Sequence, residues 1–504
     1  MSTYIIVYLP LAPYLASFRL GADRSTAQNL LVELRQGLQA QLAARYRGAT
    51  FSDWADPGHT RENQLALCWI WGLVTNNPTP MRLMRRLAVD AKVCLFSYGC
   101  ATHAGNLVAK DLALIDPFKS ALQDSVAVGV FFTHSTREGA LLARNTQQLR
   151  NAGAKIGSLE LYSRTRWVGE AATITSVLAD LLALRRTWAD NRHEPPAARI
   201  RILPRVETIM DSPTTEPSLA KCVPFLKALA LSVAVLEADA APLSSAVGIF
   251  SALRLCLDQL FAELPVAARS SIQGSLGRRF SLIQDPLLVL AFYLDPFWCP
   301  VRQRVAAMQW DGTTLPTLRG RAVEFLAGDD ASYSLRISRD LAAFLTYAEQ
   351  LPLAFAGRDL HPAQWWVLVG EPFPTLRVVA LRLFALPPSA AGGERAFKTV
   401  KLVHTAVRNR LDPAKADMQT RIMFNSAQLA RADIIASYGR SCAEHMLLER
   451  LGMAAVDQAP AAPPAPADGT EGAGEEDYAG DIEEVAPAAF DAIAEGVVNG
   501  DDNE

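Results

Sequence analysis

No two cysteines in the chain are spaced as CxxC, and no lysine or arginine follows Arg450. The seven cysteines (Cys68, Cys94, Cys100, Cys222, Cys256, Cys299 and Cys442) are scattered, so neither a zinc ribbon nor a redox dithiol is indicated. Most sit among apolar neighbours, as small buried hydrophobes do, and a reducing compartment is the natural inference. A basic n-region is also missing. The start, MSTYIIVYLPLAPYLASF, is apolar but interrupted by Tyr and Pro, which argues against a signal peptide. The longest other apolar stretches, such as Val223 to Val235, are broken by residues like Pro224 and Lys227, and none is expected to reach the length of a membrane span.

The chain has 504 residues, 50% hydrophobic and 20% charged, an ordinary globular composition with length for more than one cored unit. The formal net charge is only -3, but it is unevenly placed. Fourteen of the 52 acidic residues follow Arg450, and none of the 49 basic ones does, so the preceding part carries an excess of eleven positive charges. A basic body with an acidic tail fits a history of handling nucleic acid, although a moderate basic excess on a large domain is also common.

Tyr4–Leu9 and Tyr14–Phe18 are β-branched and aromatic and read as a hairpin. Ser25–Arg47 has helical apolar spacing, with Ser25 as N-cap. Leu65–Thr75 reads as one buried strand stopped by Asn76-Asn77-Pro78, and Val93–Ser97 as another. From about Ala104 the chain is mostly helical, with clear periodicity in Ala171–Ala189, Leu219–Leu236, Ser245–Leu264 and Ile337–Leu351. Pro286–Leu294 is either a strand or a buried helix. Later helices are expected at Leu376–Leu386, Glu394–Thr405 and Pro413–Leu429. Past Gly452 the composition turns to Ala, Pro, Gly and acid, and a disordered tail is expected. Within it, Ala489–Val498 has the pattern of a short amphipathic helix that stays unfolded alone.

Three segments carry a resemblance. The stretch from Pro387, PPSAAGGERAFKTVKLVHTAVRNRLDPAKADMQTRIMFN, holds Ser389, Glu394, Arg395, Phe397, Arg408, Asn409, Arg410, Leu411 and Asn425, with Gln364-Trp365-Trp366 ahead of it. Tyr98-Gly99-Cys100-Ala101-Thr102-His103 forms a Cys-x-x-His stretch that leads into a helix. Thr165-Arg166-Trp167 supplies an Arg-Trp pair, and Leu294-Asp295-Pro296 is a weaker match after an apolar run. In this order they resemble the hAT superfamily of transposases, over about residues 1–429.

The resemblance implies an α/β RNase H-like core interrupted by a large all-α insertion, followed by a helical C-terminal dimerisation segment. Residues 1–118 would form the N-terminal part of the core, 119–370 the mainly helical insertion, 371–450 the dimerisation region and 451–504 the tail. It also implies three carboxylates holding two divalent ions that clamp the attacking and leaving groups of DNA strand cleavage. Here the pattern departs. The first acid, in an Asp-Gly-Trp motif, would precede Tyr4. The second falls on Asn76, whose amide offers a carbonyl oxygen but no charge. The third, Glu394, is retained, and with its partners gone a helix-start role suits it. Asp53 and Asp90 are misplaced for the missing acids. Cys100 and His103 lack the further ligands zinc needs. Trp167, Trp365 and Trp366 read as core aromatics. Arg408 and Arg410 suit either phosphate contacts or ion pairs, and Ser389 to Gly393 reads as a tight turn.

The function expected is that of a transposase-derived, non-catalytic nuclear protein that forms homodimers, with the ancestral Mg/Mn site lost and no cofactor. DNA contacts would be non-specific and salt-sensitive, since no zinc finger precedes the core. No membrane or small-molecule substrate is expected. Two alternatives stay open: a metal-dependent transposase whose first acid and finger lie upstream of Met1, and a helical scaffold with no nucleic-acid role.

Overall fold

A computed structural model of the protein resolves these patterns into elements. It describes residues 4–9 and 12–19, and 53–393 apart from 69, 135, 161–168, 198, 239, 261–263 and 352–359. Isolated positions between 27 and 39 and between 402 and 423 are also described. The chain separates into two units, Met1–Val456 and Asp457–Glu504. Every described residue lies in the first, so the expectations for the acidic tail fall outside them.

β1 (Tyr4–Leu9) and β2 (Ala12–Arg19) pair antiparallel, with Tyr4 opposite Arg19 and Leu9 opposite Ala12. This is the expected hairpin. The described positions between 27 and 39 are helical. The expectation of one strand over Leu65–Thr75 is corrected: Arg61–Leu67 is a helix, α1, and only Gly72–Thr75 is strand, β3. A continuous apolar run does not separate a buried strand from a buried helix. The local signal was the cap, since Thr60 accepts the Asn63 N–H. Arg61 then satisfies the carbonyls of Phe325 and Leu326 at the end of a distant helix.

β3 pairs in parallel with β4 (Phe96–Gly99), Thr75 lying opposite Gly99. Parallel strands need a crossover, and α2 (Thr79–Asp90) supplies it. The second strand begins three residues later than expected, because Val93 and Cys94 are taken up in a small core with Ile70, Leu73, Met84 and Ala88. α3 (Ala101–Leu112) follows β4 directly.

The rest is helical: α4 (Phe118–His134), α5 (Thr136–Asn151), α6 (Gly169–His193), α7 (Pro204–Asp211), α8 (Thr215–Glu237), α9 (Ser244–Leu260), α10 (Val266–Phe280) and α11 (Pro286–Leu294). After these come α12 (Cys299–Val305), a short hairpin of β5 (Gln309–Trp310) and β6 (Thr313–Thr314), α13 (Leu315–Ala327), α14 (Ala331–Gln350), α15 (Pro362–Val369) and α16 (Pro374–Phe384). α3 is the hinge between the strand pair and the helices, packing on both α8 and α10. Pro286–Leu294 is settled as helix. Asp285 caps it through the Leu287 N–H, Pro286 fits its first turn, and all of Leu287–Leu294 is buried against α9, α13 and α16. Each large apolar side chain buried there contributes about 1.5–3 kcal/mol.

One expectation needs correction and a second is met only in part. The apolar stretch judged too short for a membrane belongs to α8, whose 23 residues are long and apolar enough to cross one. Pro224 and Lys227 do not break it. Its most apolar window is 61% buried inside the fold, the pattern of a core helix. The α/β expectation meets strands in three separate pairs among the described residues. The described residues are mostly helical, with one β-α-β unit and two hairpins. A complete RNase H-like sheet is not formed by the described strands.

Candidate functional site

Parallel strands deliver their C-terminal ends side by side, so the residues after Thr75 and Gly99 share one edge. Asn76 and Asn77 follow β3 and Cys100 follows β4. Gly99 is required here: a Cβ on it would lie 2.1 Å from Asn77 Oδ1 and 2.3 Å from the Leu282 carbonyl. The Asn77 amide is thus wedged against the neighbouring strand end, where its Nδ2 donates to the Cys100 carbonyl at 3.4 Å.

The centre of this edge is a cation that the motif reading missed. Arg85 on α2 is buried, and its Nη1 donates to the Thr75 carbonyl and hydroxyl (2.9 Å each) and to the Asn76 carbonyl (3.1 Å). A fourth, longer contact reaches Asn77 Oδ1 at 3.4 Å. Burial, helped by nearby Arg82, pulls the guanidinium down to about 10, which leaves it charged at neutral pH. All four acceptors are neutral. The available signal was a charged residue beside Met84 and Ala88, on the helix face that packs inward.

The second half of the site comes from the C-terminal segment. The Tyr98 hydroxyl donates to the Pro387 carbonyl (2.6 Å), and the Ala101 N–H donates to the Pro388 carbonyl (3.1 Å). Cys100, the N-cap of α3, accepts at sulfur from the N–H groups of His103 (3.4 Å) and Ala390 (3.3 Å). Ser389 is buried, donates to the Leu236 carbonyl at the end of α8 (2.8 Å) and accepts the Ala391 N–H. Residues 387–391 therefore run along the β4–α3 junction, adjoining the same edge as Asn76. Burial, with Lys110 and Arg279 nearby, lowers the pKa of His103 and favours the neutral ring.

Of the residues singled out in the sequence, Asn76, Ser389, Cys100 and His103 gather at this edge. Glu394, Arg395, Phe397, Arg408, Asn409, Arg410, Leu411, Asn425, Arg166 and Trp167 lie outside the described residues. Among the described residues, no group of three His, Cys, Asp or Glu side chains is placed to hold a metal. Among the described residues, the groups at the strand end, amides, a hydroxyl and a buried guanidinium, do not fit a divalent ion, which needs anionic oxygens.

A second segment singled out in the sequence is structural. Trp365 and Trp366 on α15 are fully buried; Phe344 packs against both, edge-on to Trp365 and tilted to Trp366, and Phe373 meets Trp366 edge-on. Asp340, also buried, accepts from the N–H groups of Thr375 and Leu376 and so caps α16.

No curated protein matches the chain. Residues 344–425 match the hAT family C-terminal dimerisation region, a span that includes the tryptophan pair, Ser389, Glu394 and Asn425. That match makes the chain similar to the hAT family over this C-terminal region and supports a hAT-family transposase-like protein.

Proposed function

We propose that the protein is a transposase-derived homodimer, nuclear and non-catalytic, which pairs through its C-terminal region and touches DNA only non-specifically. The observation that carries the pairing is the match over residues 344–425. Described apolar residues inside it remain open to solvent: Met418 and Ile422 are each 60% exposed and Met423 46%. An isologous contact needs a self-complementary apolar patch, and these residues supply its chemistry.

The non-catalytic reading is supported by the amide at Asn76 and by the neutral acceptors around Arg85. The RNase H-like reading is supported by the hairpin followed by a β-α-β unit, and by the return of residues 387–391 to that unit. Non-specific DNA contact rests on the basic excess ahead of Arg450.

The test is a Met423→Glu variant of the full chain. A carboxylate in a shared apolar patch should split the dimer without unfolding the protomer. Unfolding of the variant would place Met423 in the protomer's own core and remove the proposed patch. Strand transfer with Mg²⁺ or Mn²⁺ should give no product above background; cleavage abolished by Glu394→Ala would contradict the non-catalytic reading.

A further inference from the structure

A buried arginine is normally offset by a carboxylate, because removing its charge from water is costly. Among the described residues, none stands within ion-pair distance of Arg85. The guanidinium is held instead by oxygens that converge from the end of β3: the Thr75 carbonyl and hydroxyl, the Asn76 carbonyl and Asn77 Oδ1. Such an array of neutral oxygens around a positive charge at a strand end is a cation site in which the cation belongs to the chain. The wedge of Asn77 under Gly99 and its bond to Cys100 fix the array in place.

We propose that Arg85 is a resident cation at the end of β3, closing this edge to Mg²⁺ and Mn²⁺ by its positive charge as well as by the amide at Asn76. This rests on reading Asn76 as the position of the second acid. A carboxylate restored at Asn76 would then neutralise Arg85 rather than recruit a metal. A guanidinium a few ångströms away repels a divalent ion strongly in a poorly solvated setting.

The experiment compares Mn²⁺ binding by the full chain, by Asn76→Asp and by Asn76→Asp combined with Arg85→Gln, followed through the electron paramagnetic resonance of free Mn²⁺. Asn76→Asp is expected to raise the melting temperature without taking up Mn²⁺. The double variant is expected to bind Mn²⁺ at least about tenfold more tightly, a difference of about 1.4 kcal/mol. A merely structural arginine would not produce that difference, so equal binding by the two variants overturns the proposal. Should the double variant not fold, Asn76→Asp decides alone: Mn²⁺ uptake with Arg85 in place overturns the proposal, and a raised melting temperature without uptake supports it. Tight Mn²⁺ binding at this edge by the unaltered chain would instead contradict the non-catalytic reading.

Discussion

The indole N–H of Trp366 donates to the carbonyl of Leu294 at 2.9 Å, joining two motifs 72 residues apart in sequence. Leu294 ends α11 at the Leu-Asp-Pro motif, and Asp295 turns the chain by accepting the Phe297 N–H and the Ser244 hydroxyl. The bond ties the start of the dimerisation region to the most buried helix of the body.

A contrast between neighbouring tryptophans tests that tie. Trp366→Phe keeps the ring packing but leaves a buried carbonyl without its donor, at a cost of about 1–3 kcal/mol. Trp365 is equally buried, yet its indole N–H meets no acceptor among the described residues. Trp365→Phe should therefore cost clearly less. Chemical denaturation of both variants measures the difference; equal losses would show that ring volume alone matters.

The junction between α3 and α10 should be acid-sensitive. Asp111 accepts from Arg279 (2.9 and 2.6 Å) and from Ser275 (2.5 Å). Burial opposes its ionisation, but the bonds from Arg279 and Ser275, with the charge of Arg278, outweigh it and hold the carboxyl below its ordinary value. A carboxyl lowered by folding stabilises above its unfolded pKa, and that contribution is lost as pH falls through the folded value. Asp111→Asn should cost about 2 kcal/mol at neutral pH and lose that difference in acid. A constant difference across the range would refute the assignment.

Gly99→Ala should be among the most damaging single-methyl additions. The new Cβ would collide with the Leu282 backbone carbonyl, which has no rotamer to move through, and with the wedged Asn77 amide. Overpacking of this kind costs about 1–3 kcal/mol or more. Gly277→Ala, with open space around it, is the control and should be nearly neutral or stabilising within its helix. Thermal melts of the two variants make the comparison.

Much of the site could be read from residue types in order. The motif around Ser389, the Cys100–His103 stretch and the amide at Asn76 were visible because spacing survives where contacts are not yet known. Arg85 was harder to read, since its place depends on which face of α2 meets β3, and only its position beside Met84 and Ala88 hinted at the inward face. The strand limits failed for a related reason. Leu65–Thr75 is apolar throughout, so periodicity had nothing to resolve, and only the Thr60 cap marked α1. Pro224 misled because a proline ten residues into a long buried helix is outweighed by the packing of α8 against its neighbours.

The mass of the full chain in solution tests the central claim most directly. Light scattering at tens of micromolar, roughly where a weak specific dimer still forms, should give twice the mass of the 54.7 kDa chain. A mass of one chain at that concentration would contradict the account, because pairing through residues 344–425 is the function it assigns.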